Sequence, residues 1–240
     1  MSPRLNAIKN PKATSRVAFF FWPAVRMFVV ALALLFSAQA ALAQSWRVGV
    51  TAVLDGDTVI LDGGERLRLR GIDAPEVSHR YKPGQRYGRQ SRDKLFSLVS
   101  GRILELDKKE LGRDRYGRLV GLARLADGRV VNLLMIEEGA AFVYPHPSDK
   151  DRALFTRMLA AQNVAMEQGK GFWPVVLNGS AAKARYVGTK SSKRFHTLSC
   201  AQGQKVGASN RVYFSFLREA FSAGYAPARE CTPWPVKTDR

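Results

Sequence analysis

The sequence has few acidic residues and almost no cysteine. Its 240 residues include 20 Asp and Glu against 38 Lys and Arg, which gives a formal net charge of +18 at pH 7. A positive excess of this size is typical of proteins that bind polyanions. By itself it does not distinguish nucleic acid from an anionic surface as the partner. Both cysteines, Cys200 and Cys231, lie near the C-terminal end. The chain before Cys200 therefore offers no thiolate ligand to a soft metal ion.

No stretch after residue 43 approaches the length and apolarity of a membrane span. Residues 1–43 combine basic residues, the apolar run 27–36 and small residues before Gln44, which is the pattern of a signal peptide cleaved at that point. It predicts a secreted or periplasmic protein without stable membrane insertion once the leader is removed. Because a second apolar patch lies at 17–25, an uncleaved membrane anchor is the alternative interpretation of this leader. Without the leader, 33 basic and 20 acidic residues still give a net charge of +13.

The motif Asp-Gly-Asp-Thr at 55–58 predicts a turn that presents carboxylates. Glycine tolerates positive φ, so Asp55 and Asp57 are expected at the mouth of a strand that begins near Thr58. Asp57 would then point to a place where a ligand can bind.

A strand and an extended elbow follow within twenty residues. Residues 65–72 alternate leucine and arginine, which predicts a half-buried strand. Pro75 then keeps the chain extended. Asp73, the carbonyl of Ala74 and Glu76 therefore leave the strand as a stiff segment that can offer several oxygens to one ion.

These residue types suit hydrolysis of a phosphodiester. Calcium takes several oxygen ligands in loose geometry, which two aspartates, a backbone carbonyl and waters would satisfy. Glu76 is placed to activate a water in line with the leaving oxygen. Arg68, and Arg118 in the motif Asp-Arg-Tyr-Gly-Arg at 114–118, can bind phosphate oxygens, because a guanidinium stays protonated and binds two oxygens at once.

Each motif taken alone has a simpler interpretation. Asp-Gly-Asp is typical of a hairpin turn, and a single glutamate such as Glu76 is usually an exposed surface carboxylate. Arginines on a strand usually form a solvated face, as Arg66 and Arg70 are interpreted here. Arg68 is distinguished only by its spacing from the elbow. The occurrence of all three motifs together favours a working site over three coincidences.

The motifs at 55–58, 68–76 and 114–118 resemble those of the thermonuclease (staphylococcal-nuclease-like) family in order and approximate spacing. The resemblance covers about residues 46–174. It implies an α+β fold, a five-stranded OB-type β-barrel with three helices, whose groove can bind single-stranded nucleic acid. The implied domain, 44–176, would act on DNA and RNA, and we expect a monomer.

The resemblance also implies a role for each matching position. It assigns catalysis and phosphate binding to three residues, Arg68, Glu76 and Arg118, with Glu76 as the general base. It assigns calcium binding to three others, Asp57, Asp73 and Ala74, the last through its carbonyl. Manganese or another divalent ion could substitute, because the ligands are hard oxygens without strict geometry.

Phe142 and Tyr144 stand where the family has the tyrosines of its nucleotide pocket. Base stacking is therefore expected to survive, while one phenolic hydroxyl is lost. The basic segment 79–86 is interpreted as a substrate-contacting loop, the alternative being an ordinary surface loop.

The character of the chain changes after residue 176. Residues 177–185 are interpreted as a linker, and 186–235 resemble a small Ada-type metal-binding module, with Ala228 where that family usually has a cysteine. Its candidate ligands are His196, Cys200 and Cys231. A structural zinc site needs four ligands, so a Cys200–Cys231 disulfide in an oxidising compartment is the preferred interpretation. A three-ligand zinc with a water is the alternative.

The sequence thus predicts an exported, calcium-dependent nuclease that hydrolyses phosphodiester bonds of DNA and RNA with water as nucleophile. Family precedent implies 3′-phosphate ends. The alternative is a non-catalytic OB-fold module that binds nucleic acid or a protein tail. Degenerate relatives of this fold lose the carboxylates and arginines, whereas this chain retains them, which favours catalysis.

Overall fold

The computed structural model of the protein describes residues 45–79, 83–146 and 149–231, together with Met27, Val29 and Val30. The chain divides into two compact units, 1–44 and 45–240. The predicted signal peptide therefore lies almost entirely outside the described residues, as does part of the predicted substrate-contacting loop. Within the described part of the chain, no helix is both long and apolar enough to cross a membrane.

One curled sheet dominates the N-terminal part of the second unit. Its strands are β1 Ser45–Val53, β2 Thr58–Leu61, β3 Arg66–Leu69, β5 Ile103–Asp107, β6 Gly112–Arg113 and β7 Leu119–Gly121. They lie in the order β5-β1-β2-β3-β7-β6. A separate pair joins β4 Ile72–Asp73 to β8 Phe142–Val143.

The alternating pattern of the third strand is confirmed. Leu67 and Leu69 are buried, while Arg66 is exposed. The sheet curls, because the backbones of Glu105 in β5 and Arg124 after β7 exchange hydrogen bonds at 2.8 and 3.0 Å. It has six strands where five are predicted, since the two-residue β6 pairs with β7.

Six helices are found in the described residues: α1 Gly88–Val99, α2 Val131–Glu137, α3 Arg152–Glu167, α4 Trp173–Asn178, α5 Ala201–Gln204 and α6 Leu217–Ser222. The resemblance implies three helices, and the first three lie entirely within the implied domain, residues 44–176. The third begins after Asp151, whose Oδ1 accepts a hydrogen bond from the Leu154 N–H at 2.9 Å.

A buried amide fixes the ends of two strands near the elbow. The Asn132 side chain of α2 accepts a hydrogen bond from the Ala123 N–H at 3.0 Å. It also donates to the carbonyls of Arg70 and Gly121, at 2.9 and 3.2 Å. Asn132 thereby satisfies backbone groups where β3 and β7 end.

The C-terminal module contains its own four-stranded sheet. The strands are β9 Tyr186–Thr189, β10 Arg194–Thr197, β11 Arg211–Phe214 and β12 Ala226–Pro227. They lie in the order β11-β9-β10-β12, and only β10 and β12 within it are parallel.

The predicted linker, residues 177–185, is structured rather than extended. It contains the end of α4 and the 3-10 helix Ser180–Lys183. The Tyr186 hydroxyl donates a hydrogen bond to the Ala181 carbonyl at 2.6 Å. The small residues that suggest flexibility here instead allow a short helix to pack beside a buried tyrosine.

A shared apolar core joins the module to the rest of the unit. The rings of Phe142 and Trp173 lie 5.8 and 4.8 Å from that of Phe221 in α6. Gln162 of α3, fully buried, accepts from the Val143 N–H at 2.7 Å and donates to the Phe221 carbonyl at 2.8 Å. The module is therefore packed on the sheet domain and not tethered beside it.

Candidate active site

The turn between β1 and β2 brings two aspartates to the end of the sheet. The Asp57 N–H donates to Asp55 Oδ1 at 2.9 Å. Gly56 is not among the residues with positive φ. A Cβ on Gly56 would lie 2.6 Å from the Cβ of Ser91 and 2.7 Å from that of Ala74. The glycine is therefore required for close packing against α1 and the elbow, not for the left-handed backbone that the sequence suggests.

Arg68 links two buried aspartates. Its Nη1 forms an ion pair with Asp57 Oδ1, and its Nη2 lies 2.8 Å from Asp73 Oδ1. Asp57 is also held by the Thr58 hydroxyl at 2.8 Å and, through Oδ2, by the Ala74 N–H at 2.9 Å. The structure thus brings Asp57, Asp73 and the N–H of Ala74 together with one predicted phosphate-binding arginine.

Glu76 lies on the elbow after β4, held on both sides by Gln85. The Gln85 Oε1 accepts a hydrogen bond from the Glu76 N–H at 2.9 Å, and the Gln85 N–H donates to the Glu76 carbonyl at 2.8 Å. A Cβ on Gly88 would lie 2.6 Å from that carbonyl carbon, so α1 begins directly against the elbow. Sequence reasoning missed both contacts, because they arise only when the helix packs on the elbow.

Arg118 is positioned by Asp114. Oδ1 of Asp114 accepts hydrogen bonds from the N–H groups of Tyr116 and Arg118, and Oδ2 accepts from Arg118 Nε at 2.7 Å. The guanidinium carbon of Arg118 lies 5.5 Å from the centre of the Tyr116 ring. The pKa of Arg68 is lowered mainly by burial. The positive charge of Arg118 lowers it further, which means that the two guanidinium groups are close enough to repel each other.

The C-terminal module contributes two arginines that sequence reasoning missed. Arg194 of β10 donates from Nη1 to Asp73 Oδ2 at 2.5 Å and to the Pro227 carbonyl at 2.9 Å. Arg229 pairs with Glu76 Oε1, and its Nη2 lies 3.5 Å from Asp73 Oδ1. No motif marks either residue, and only tertiary packing brings them to the carboxylates.

Burial and positive charge act on the carboxylates in opposite directions. Burial would raise the pKa of Asp73, but Arg194, Arg68 and Arg229 together hold that pKa well below its ordinary range. Burial raises the pKa of Glu76, and Arg229 only partly offsets the effect. Asp73 is therefore ionised, as a cation ligand must be, while Glu76 is shifted toward the range of a general base.

The predicted base-stacking pair has no open pocket. Phe142 is only 2% exposed, and its ring packs against Phe172 and Phe221 with centroids 6.2 and 5.8 Å apart. The guanidinium carbon of Arg194 lies 3.7 Å from the centre of the half-buried Tyr144 ring. The C-terminal module fills this region, which the sequence-based prediction of base stacking at Phe142 did not take into account.

The C-terminal cysteines form a disulfide. Cys200 and Cys231 are bonded, with their Cα atoms 6.0 Å apart. His196 Nδ1 lies 3.5 Å from Cys200 Sγ, and one ligand atom from each of the three residues falls within 4.8 Å of the others. The disulfide removes the thiolates that a zinc ion would need, so the alternative zinc site would require reduction first.

The donor set at Asp57 and Asp73 fits a hard divalent cation. Both side chains are buried and ionisable, and their Oδ1 atoms contact one guanidinium, so they face a common point. All the donors are oxygens, which suits calcium. The guanidinium groups around Asp73 show that these carboxylates are compensated by positive charge.

Residues 66–175 match the family model described as staphylococcal nuclease homologue. An uncharacterized endonuclease of Escherichia coli O157:H7 is 40% identical to the chain over 127 residues, covering 52% of this chain and 74% of the relative. The chain belongs to the staphylococcal nuclease homologue family. A thermonuclease of Staphylococcus intermedius is 33% identical over 129 residues, covering 52% of this chain and 74% of the relative.

Endonuclease YhcR of Bacillus subtilis (strain 168) is 31% identical over an alignment of 201 residues, and the match covers 73% of this chain. The match spans only 16% of the length of YhcR. Because it covers more of the chain than residues 66–175, it takes in residues outside the nuclease homologue region.

Membership in the nuclease homologue family confirms the predicted thermonuclease resemblance, and it supports a phosphodiester-hydrolysing nuclease. The mixed α+β architecture with a curled sheet agrees with it. The matched region contains the elbow and the Arg118 turn but not the C-terminal module, whose Ada-type resemblance stays a prediction.

Proposed function

We propose that the protein is an exported, calcium-dependent nuclease that hydrolyses phosphodiester bonds of DNA and RNA. The observation that carries the proposal is the meeting of Asp57, Asp73 and Glu76 with Arg68 at one end of the curled sheet. Buried carboxylates, one of them held ionised at Asp73, a carboxylate with raised pKa at Glu76 and fixed guanidinium groups are the parts that this reaction needs.

Asp57 and Asp73, through their side chains, and Ala74, through its carbonyl, would hold calcium. Calcium bound there would supply positive charge that polarises a phosphoryl oxygen. The protein prepares these ligands by burying them while keeping Asp73 ionised, since the arginines outweigh the effect of burial on its pKa.

Glu76 is the proposed general base. As the water oxygen bonds to phosphorus, one water proton passes to a Glu76 carboxylate oxygen, the bond from phosphorus to the leaving 5′ oxygen breaks, and that oxygen takes up a proton from water. Family precedent implies that this leaves 3′-phosphate ends. Because Gln85 holds the backbone of Glu76 on both sides, the carboxylate is fixed at the elbow.

Arg68 and Arg118 are the proposed phosphate-binding residues. Each guanidinium stays protonated and can stabilise the charge that builds on the phosphoryl oxygens. Asp114 holds Arg118 in place by three hydrogen bonds within the turn, two of them from backbone N–H groups.

The arrangement supports recognition of the backbone rather than of the base. Phe142 is buried, and Arg194 covers one face of the half-buried Tyr144 ring, so little ring surface is left for stacking a base. With recognition resting on phosphate, no 2′-hydroxyl contact is obligatory, and both DNA and RNA are expected substrates.

The proposed location is secreted or periplasmic, and the proposed form is a monomer. The leader pattern of residues 1–43 and the disulfide between Cys200 and Cys231 both support export, because disulfides persist in oxidising compartments.

The test is divalent-ion dependence of cleavage. The protein, produced with its own leader and purified, is incubated with single-stranded DNA or with RNA, and acid-soluble nucleotides are measured with calcium and with chelator. Release from both substrates that needs calcium is the expected result. Tight binding without release in calcium, manganese or magnesium would instead make the protein a non-catalytic nucleic-acid-binding module.

A further inference from the structure

The C-terminal module places two guanidinium groups on the carboxylates of the proposed nuclease site. Arg194 contacts Asp73 Oδ2, while Arg229 contacts Asp73 Oδ1 and Glu76 Oε1. Neither arginine lies within residues 66–175, the region that matches the family model. The site of this protein is therefore built from more than the family domain.

Arg194 is fixed by its surroundings. It lies on β10, which pairs with β9 on one side and β12 on the other. Its guanidinium is held between the Pro227 carbonyl, the Asp73 carboxylate and the face of Tyr144. These contacts anchor the module to the site and leave Arg194 little freedom to reach a ligand.

Arg229 has a fixed backbone and an open side chain. It begins the 3-10 helix Arg229–Cys231, whose last residue is bonded to Cys200. The disulfide therefore holds the backbone of this helix close to the module. The side chain extends from that anchor over Glu76, at the solvent side of the site.

Exposure separates Arg229 from the other three arginines at the site. Its side chain is 50% exposed, whereas those of Arg68, Arg194 and Arg118 are 11%, 18% and 25% exposed. Arg68 is also occupied by two buried aspartates through both of its Nη atoms. Of these four groups, Arg229 is the most exposed, so an incoming phosphate can reach it by taking over part of its ion pair with Glu76.

The chemistry of the contacts suits phosphate. A guanidinium has five donors in a planar fork and can hold two anionic groups at once. Arg229 already spans two carboxylates, Glu76 and Asp73, and so lies directly beside the proposed base. A phosphate oxygen entering there would take over part of this pairing and leave Glu76 free to accept a proton.

We propose that Arg229 is a substrate-phosphate-binding residue of the nuclease site, supplied by the C-terminal module. The inference rests on the proposed function, because the phosphate it binds is that of the nucleic-acid substrate. The same contact could instead inhibit the site by keeping Glu76 permanently paired. In that case, removing the Arg229 side chain would raise the cleavage rate.

The kinetic test compares Arg229→Ala with Arg229→Lys and with Arg218→Ala. Arg218 is exposed on α6 and forms no ion pair within the described residues, so its variant removes the same charge from the same module. In calcium, Arg229→Ala should raise KM for a fluorescent single-stranded oligonucleotide about tenfold, since a hydrogen bond to a charged group contributes about that factor. The kcat value should change less, Arg229→Lys should recover part of the loss, and Arg218→Ala should match the unsubstituted protein.

A binding test separates the inference from catalysis. Anisotropy of the same oligonucleotide is measured against salt concentration in Glu76→Gln and in Glu76→Gln with Arg229→Ala. Loss of one phosphate contact should weaken binding. It should also make the plot of the logarithm of the association constant against the logarithm of salt concentration less steep, by about 0.7. Melting temperatures of all variants show whether the module stays folded.

The outcomes distinguish this inference from the proposed function. An unsubstituted protein that does not cleave contradicts the proposed function, while the salt slope still reports on Arg229. A protein that cleaves, with unchanged KM and unchanged salt slope in the Arg229 variants, overturns the inference alone. A rise in cleavage rate in Arg229→Ala overturns it as well and identifies the contact as an inhibitory plug.

Discussion

Arg68 holds two buried aspartates that would otherwise repel each other. Asp57 and Asp73 each contact one Nη atom of its guanidinium, and both side chains are almost completely buried. Breaking a buried ion pair by removing one partner is costly, because the remaining charge is left without compensation. In this site, a bound divalent cation would offer the same compensation.

Replacing Arg68 by alanine should therefore destabilise the protein in a calcium-dependent way. Without calcium, we expect a loss of about 3 kcal/mol in the free energy of unfolding. Calcium should raise the melting temperature of Arg68→Ala by more than it raises that of the unsubstituted protein. The measurement is thermal unfolding with calcium and with chelator.

The matched control is Arg66→Ala, an exposed arginine two residues away on the same strand. Its stability should change by less than about 0.5 kcal/mol in either condition. Equal calcium shifts in Arg68→Ala and the unsubstituted protein would contradict the view that cation and guanidinium compensate the same carboxylates.

At the scale of elements, the start of α1 fixes the elbow that carries Glu76. Gly88 lies so close to the elbow that a Cβ would meet the carbonyl of Glu76. Gln85, just before the helix, closes two hydrogen bonds with the backbone of the same glutamate. The helix thus acts as a support for the proposed general base.

Gly88→Ala should displace Glu76 without touching its side chain. Overpacking of this kind costs about 1–3 kcal/mol of stability. The kcat value for oligonucleotide cleavage should fall while KM changes less, since the base moves and the phosphate-binding arginines do not. Gly207→Ala is the control, because a Cβ at that position meets no heavy atom within 4 Å. Wild-type kcat in Gly88→Ala would contradict the supporting role of α1.

The elements themselves were largely predictable from the sequence. The alternation around Leu67 and Leu69 predicts β3, and the resemblance implies three helices, which α1, α2 and α3 provide. Asp57, Asp73 and Arg68 can be predicted as candidate site residues because their motifs are local and ordered, and the structure places their side chains together. Arg194 and Arg229 cannot, because they act on the site from more than a hundred residues away and no local pattern distinguishes them from other basic residues.

Across the whole second unit, the C-terminal module shares one of two apolar cores with residues of the sheet domain. Phe142 and Trp173 on one side pack with Phe221 on the other. Gln162 satisfies a backbone N–H of β8 and a backbone carbonyl of α6 at the same time. Composition alone predicts a linker at residues 177–185, because glycine, serine and alanine are typical of flexible segments. Composition does not show that tertiary packing orders this segment.

Replacing Gln162 by alanine should destabilise both parts together. Two buried backbone groups lose their partners, which costs about 3 kcal/mol. Calorimetry should show one cooperative transition in the unsubstituted protein and one, at lower temperature, in the variant. Gln168→Ala, on an exposed residue at the end of the same helix, is the control. Two well-separated transitions would contradict a shared core.

The proposed hydrolysis at this site depends on Glu76, so the decisive measurement is the single-turnover cleavage rate of single-stranded DNA by Glu76→Gln in calcium. The exposed Glu137→Gln, on α2, is the matched control. A general base contributes about 10²–10⁴-fold, so the rate of Glu76→Gln should fall by that factor while Glu137→Gln cleaves as the unsubstituted protein does. A Glu76→Gln rate equal to that of the control would contradict the assignment of hydrolysis to this site.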